Sequence, residues 1–335
     1  MKRSSTAAII DLCAGAYLAA IAVWVIVPRV ILDTRPPAAS TTSIVAIVAA
    51  GLLLAILGLA TGASLGRLFQ RRIDGDTWQH AVASHIGWLT LVSTVIAGWV
   101  ITEISPVDLF SQQGLEGAGR IFKALLSPNF DILGEALLAM VETIYLAFMA
   151  TAIAVPFSFV LSFFCARNLM AHNGVARSIY VVLRVFTNFS RSIEPLIWAI
   201  IFSVWVGIGP FAGMLALVVH TISSLTKQYS EQIEDVDHGP MEAIEATGAR
   251  RAQVIWFAVV PQCVIPFLSF TIYRWDINVR MATVIGLVGG GGIGNMLIQY
   301  QGLARWNEVG AIVIIIAIVV WIFDVVSARV RQALR

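Results

Sequence analysis

Apolar residues in this chain run in long blocks with short polar breaks between them. Crossing about 30 Å of hydrocarbon takes roughly 20 apolar residues in a helix. Eight segments meet that length: 7–28, 43–66, 84–102, 133–165, 191–208, 211–227, 258–288 and 308–328. The pattern predicts an all-α polytopic membrane protein with about eight transmembrane helices. The first block follows Lys2 and Arg3 as in a signal peptide, but no small-x-small cleavage site follows, so it reads as a retained anchor helix. In the break at 103–132, Leu115, Ile121, Phe122, Leu125 and Leu126 alternate with polar residues, the pattern of a helix lying on a membrane surface.

Composition sharpens this picture. Hydrophobic residues make up 58% and charged residues 13% of the 335, and mean hydropathy is +0.84. Soluble domains carry about twice that share of charge. A net charge of +2 gives no reason to expect a nucleic-acid partner. With the N-terminus inside and the spans alternating, fifteen of the 22 Lys and Arg residues fall on the inner side and five on the outer. The two left over, Arg274 and Arg280, lie within a span. This bias puts both termini and the polar loop 228–257 in the cytoplasm. Cys13, Cys165 and Cys263 sit in or beside apolar runs and read as packing residues, with no metal-binding spacing.

The character of the chain changes near Leu133. Residues 1–132 hold three plain apolar spans and the outer loop. Residues 133–335 add Pro156, Pro195, Pro210, Pro261 and Pro266, with Glu142, Glu194 and Asp276 inside or beside spans. Broken helices and intramembrane charge are tolerated where they line a protein-enclosed cavity, so the second part is the working part.

Within loop 228–257, Asp237 can cap a short helix and Pro240 fits its first turn. Met241 and Ile244, three apart, form an apolar ridge, and Gly248 stands where a left-handed C-terminal residue belongs. From the residues alone this is either a solvated helical hairpin or a docking element. Glu242-Ala243-Ile244, three residues, Gly248, nine residues and Ala258-Val259-Val260-Pro261 resemble the coupling-loop signature E-A-A-x3-G-x9-I-x-L-P of binding-protein-dependent ABC importer permeases. Ile244, Ala258 and Val260 depart from it conservatively. The phrases VDHGPMEAIEATGA, VVPQCVIPFLSFTIYRWDINVR and VIGLVGGGGIGNMLIQY are similar to the phosphonate-transporter permease branch.

That resemblance covers about 133–329. It implies a type I importer permease core (MetI-like) in a bacterial inner membrane, here preceded by three extra helices. It further implies a homodimer, two ATP-binding subunits on the coupling loops and an extracytoplasmic binding protein delivering phosphonate, phosphate or phosphite. Glu242, Ala243, Met241, Ile244, Gly248 and Pro261 would then serve ATPase coupling. The chain has no GxxxxGK[ST] motif, so ATP and magnesium would be held by the partner and no cofactor by this chain. Another small substrate within the superfamily is the alternative. A secondary transporter or channel is the rival of a different class.

For substrate handling, Arg274, Asp276 and Arg280 in one span, with Glu194, Ser192 and Asn188 at the start of another, form the candidate pathway. Guanidinium matches phosphorus oxyanions in a planar fork; an ion-pair network holding the span at 258–288 against the span at 191–208 is the structural alternative. Gly289, Gly291, Gly292 and Gly294 satisfy a dinucleotide-type spacing, but a membrane span stands where a strand would be needed. They read as an outer turn or gate, forming either an anion nest or a close-packing point. No histidine cluster argues for a metal or for catalysis.

Overall fold

A backbone in lipid must satisfy its own hydrogen bonds, and apolar runs without two-residue alternation do so as helices. The computed structural model describes residues 2–31, 40–61, 65–69, 78–171 and 173–334, and these contain helices and no strand. The chain divides into two compact units, Met1–Leu115 and Glu116–Arg335.

The first unit contains α1 (Lys2–Ile21), continued by a π-helical stretch Ala22–Ile31, then α2 (Thr41–Thr61), α3 (Leu65–Phe69), α4 (Trp78–Ile101) and α5 (Pro106–Leu109). Gly51 lets α2 cross α1 closely: a Cβ there would lie 2.7 Å from the Leu12 carbonyl oxygen. Ile21, Val25 and Ala97 form a small core between the π-helical stretch and α4. Asp11, buried in α1, accepts the Gly66 N–H at 3.0 Å.

α6 (Gln112–Leu126) carries the unit boundary. It is the helix anticipated in the outer loop, and Leu115, Phe122 and Leu126 on it are exposed. Its end is tied down by Asn307, whose amide donates to the Ser127 carbonyl at 2.7 Å.

The second unit then runs α7 (Leu133–Phe164), α8 (Arg167–Met170), α9 (Gly174–Ser192), α10 (Pro195–Val206), α11 (Pro210–Glu234), α12 (His238–Glu245) and α13 (Arg251–Val254). A π-helical turn Ile255–Val259 leads into α14 (Val260–Gly286), followed by α15 (Gly292–Gly302) and α16 (Trp306–Ala333). α11 is central, packed against α7, α9, α10 and α14. Ala136, Ala147, Ala150, Ala212 and Ala216 are buried along these contacts, small residues that let helices approach where no hydrophobic force drives them together. A second cluster, at the C-terminal end of α11, joins Leu225, Tyr229, Ile233, Val259, Cys263 and Phe267. There the Tyr229 and Phe267 rings stack at 4.1 Å.

The expected count of eight spans is not confirmed. Among the described residues, five helices are long and apolar enough to cross a membrane: Ala7–Arg29, His80–Ile101, Leu133–Phe164, Arg251–Gly286 and Trp306–Ala333. The count is six if Gly174–Ser192 and Pro195–Val206, which meet at 92° where a span was expected at 191–208, are one broken span. Glu194 is extended (φ −63°, ψ 141°), as is Ile193 before it, because a residue preceding proline is pushed out of the helical region. The span expected at 43–66 shows a shorter apolar helical stretch, Thr41–Leu53, and its end reaches residues outside those described. The span expected at 211–227 lies in α11, which has the length at 25 residues but not the apolarity. Its Thr221, Ser223, Ser224, Thr226 and Ser230 are buried against neighbouring helices, so they never meet lipid.

The π turn before α14 has a local cause. Pro261 offers no N–H and its ring crowds the preceding turn; a widened turn over Ile255–Val259 absorbs that disruption and keeps Arg251–Gly286 continuous.

Candidate functional site

The polar loop 228–257 forms the anticipated hairpin. The Asp237 carboxylate caps α12 by accepting the Gly239 N–H at 3.0 Å. Gln262 fastens the same corner: its Oε1 accepts the Asp237 N–H at 3.0 Å, while its amide donates to the Ala258 carbonyl at 2.9 Å. Gly248 has φ +79°, and its N–H closes the turn onto the Glu245 carbonyl at 2.9 Å. Glu242, Ala243 and Glu245 are exposed. The expected apolar ridge is split, however. Met241 packs inward on the Tyr229–Phe267 cluster, so its anchoring is to the bundle, and Ile244 is half-buried. A cavity of about 140 Å³ beside α12 is lined by Asn168, Met241, Glu245 and Arg251 among others.

A lock that sequence reasoning missed lies behind this hairpin. Arg184 pairs with Glu234 at 2.7 Å and donates to the Cys165 carbonyl at 2.9 Å. The Arg167 N–H joins the same Glu234 oxygen at 2.8 Å. It ties the ends of α7 and α11 to the middle of α9.

The charges of α14 do not gather in one cavity. Arg274 and Arg280 are six residues apart and so lie about 120° apart around the helix. Arg280 pairs with Asp276 one turn earlier and approaches Asp324 of α16 at 3.9 Å. That pairing runs within α14 and toward α16, not toward the span expected at 191–208. Asp276 is 1% exposed and its Oδ1 has no partner. Arg274 is 8% exposed, its Nε is unpartnered, and it makes no ion pair among the described residues. At the α9–α10 break, Asn188, Ser192 and Glu194 are exposed, the Ser192 hydroxyl donates to the Asn188 carbonyl at 2.8 Å, and the Glu194 side chain caps nothing.

At its C-terminal end, α14 turns into α15 through Gly289, Gly291 and Gly292, all with positive φ. A cavity of about 520 Å³ opens here, lined by Glu135, Glu142, Asn295, Gln299 and Tyr300 among others. The anion-nest reading fails on two contacts. The Ile293 N–H is already donated to the Thr143 hydroxyl at 2.9 Å, and a Cβ on Gly291 would meet the Glu142 carboxylate at 2.8 Å, so the site is lined with negative charge. Close packing is the supported role: a Cβ on Gly294 would overlap the Thr283 carbonyl oxygen. Deeper in the bundle, Asn278 donates to the hydroxyls of Thr151 and Thr221, both at 2.9 Å. Nothing in the sequence marked that knot, since Thr and Asn within an apolar run read as ordinary packing.

Residues 158–335 match the family model described as "Binding-protein-dependent transport system inner membrane component". The chain belongs to this family. The matched part of this inner-membrane component contains the hairpin, the α9–α10 break and all of α14. Its relatives include the phosphite transport system permease protein PtxC of Stutzerimonas stutzeri, 35% identical over 74% of this chain and 88% of that protein. The phosphate-import permease protein PhnE of Mycolicibacterium smegmatis is 33% identical over 73% of this chain; the match spans 45% of that longer protein. The putative cryptic phosphonate permease PhnE2 of Escherichia coli is 40% identical over 36% of this chain and 98% of that protein. In fold, the inner-membrane component resembles a chain of the inward-facing MetNI methionine ABC transporter, with TM-score 0.54 and 18% identity over 62% of this chain and 99% of that one.

Proposed function

We propose that this chain is the membrane-spanning subunit of an ATP-driven importer that moves phosphorus oxyanions (phosphate, phosphonate or phosphite) across the bacterial inner membrane. The observation that carries the reading is the α12 hairpin, with Glu242 exposed and Gly248 at φ +79°, inside the part of the chain that matches the family. The names of the relatives supply the substrate class.

Two copies of the chain pair, and two ATP-binding subunits hold ATP and magnesium against the hairpins. An extracytoplasmic binding protein delivers the anion from outside, and both termini face the cytoplasm. Glu242 supplies a charged contact to the ATPase, Ile244 an apolar one, and Gly248 the turn. Ala243 keeps the exposed face of α12 low, and Pro261 sets the start of α14. Closure of the nucleotide-bound subunits moves α12. Because Met241 and Gln262 fasten the hairpin to α11 and α14, that movement reaches the bundle as a rigid-body shift between two states. Arg274 lies on the anion's path, flanked by Asn188, Ser192 and Glu194 at the helix break. Arg280 and Asp276 brace α14 against α16.

The test is ATP hydrolysis by this chain co-purified with its ATP-binding subunit and binding protein in lipid, with phosphate, phosphite, methylphosphonate or no ligand. Stimulation by the loaded binding protein is expected. An assembled complex that ignores all three anions refutes the substrate class, and failure to bind any ATP-binding subunit refutes the importer.

A further inference from the structure

Arg274 is a buried guanidinium with no counter-ion of its own. An uncompensated charge inside a bilayer protein is costly, and this one is not isolated. It lies one turn before Asn278, whose amide donates at 2.9 Å to the hydroxyl of Thr221, the residue after His220 on α11. The His220 Nδ1 lies 3.2 Å from the Ile193 carbonyl, so the ring sits against the α9–α10 break. Beside that break, the Ser190 hydroxyl is 2% exposed and without a partner, while its carbonyl accepts the Trp198 indole N–H at 3.3 Å.

The depth is informative. At 1.5 Å per residue, Arg274 lies about 21 Å along α14 from Val260, and His220 about 15 Å along α11 from the opposite end. Each therefore falls near the middle of its helix. The contact of His220 with the Ile193 carbonyl sets the end of α9, with Ser190 and Arg191, beside that part of α11.

We propose that Arg274, Arg191 and the Ser190 hydroxyl form a transit site for a tetrahedral oxyanion midway through the membrane, with His220 holding the α9–α10 break beside it. The site deepens the importer reading and rests on it for the identity of the cargo. The guanidinium of Arg274 provides a fork for two oxygens, the Ser190 hydroxyl offers a single donor, and Arg191 supplies charge from the exposed side; the His220 Nδ1–H is already spent on the Ile193 carbonyl, so His220 holds the α9–α10 break in place. Arg280 is excluded, since Asp276 and Asp324 already occupy it. Glu194, exposed beside the site, is the one acid at the break and repels an anion that strays from it.

The experiment is equilibrium binding of radiolabelled inorganic phosphate to the purified complex of this chain with its ATP-binding subunits, without nucleotide. Binding is compared with import by the same complex in proteoliposomes supplied with binding protein. Arg274→Gln is expected to weaken phosphate binding by about 100-fold and Arg274→Lys by about 10-fold, the range of one charge-assisted hydrogen bond. Ser190→Ala and Arg191→Gln should each weaken it by about 10-fold, with co-purification of the ATP-binding subunits retained. Ser190→Ala keeps the test open if the Arg274 variants fail to assemble. Wild-type phosphate affinity in an assembled Arg274→Gln or Ser190→Ala complex would overturn the site, as would an absence of phosphate binding by the parent complex. Binding that the variants weaken, in a complex that imports none of the phosphorus oxyanions, would support the site and refute the importer's substrate assignment. Displacement of phosphate by sulfate would extend the site to tetrahedral oxyanions generally.

Discussion

Gly248 offers a clean separation between backbone strain and steric fit. Its φ is +79°, yet a Cβ at that position would meet nothing within 4 Å. Any cost of a side chain is therefore conformational. The left-handed region costs an L-residue about 1–2 kcal/mol, while asparagine adopts it more readily. At 1.4 kcal/mol per tenfold, Gly248→Val lowers the population of the closed turn by about 5- to 30-fold relative to open alternatives. The turn's hydrogen bonds, from the Gly248 N–H to Glu245 and from the Thr247 N–H to Ile244, open with it. So does the path to Arg250, whose N–H is held by the Gln253 side chain at 2.7 Å. Stimulation of ATP hydrolysis by loaded binding protein, measured in proteoliposomes, should fall about 10-fold in Gly248→Val. In Gly248→Asn it should stay within about twofold. Equal defects in the two variants would refute the strain argument, because asparagine and valine differ in backbone preference where both have room. Parent-level stimulation in the valine variant would show that coupling does not use this turn.

Other expectations follow from particular contacts. Gly294→Ala sets a Cβ against backbone that cannot yield, with the Gly286 Cα at 2.9 Å. It should lose about 1–3 kcal/mol, read as a lower thermal unfolding temperature in detergent, whereas Gly302→Ala, with nothing within 4 Å, should leave that temperature nearly unchanged. Asn278→Ala removes two interhelical hydrogen bonds and should lower resistance to SDS unfolding by about 1–2 kcal/mol. For the Arg184–Glu234 lock, whose side chains are about one quarter exposed, a double-mutant cycle of Arg184→Met and Glu234→Gln on thermal stability should return a coupling of about 1 kcal/mol. A coupling near zero would remove the lock from the account.

The linear pattern was sufficient for the class of the molecule and for the hairpin. Long apolar runs become helices in lipid whatever they pack against. Asp237, Pro240 and Gly248 act through bonds to residues within a few positions, so capping and turn chemistry are local and readable. The coupling-loop spacing belongs to the same category, which is why a family could be named from the residues before the fold was known.

Tertiary structure decided what depends on which face of a helix meets which neighbour. α11 failed the apolar pattern because its Thr and Ser residues face other helices, and hydropathy counts residues without knowing what surrounds them. The span at 191–208 became two helices at a right angle because Pro195 sets the conformation of the residue before it. Arg274 and Arg280 look equivalent in sequence. Rotation about α14 gives one of them two carboxylates and leaves the other buried with its Nε unpartnered. Sequence specified the charges, and only the fold decided which of them remained uncompensated.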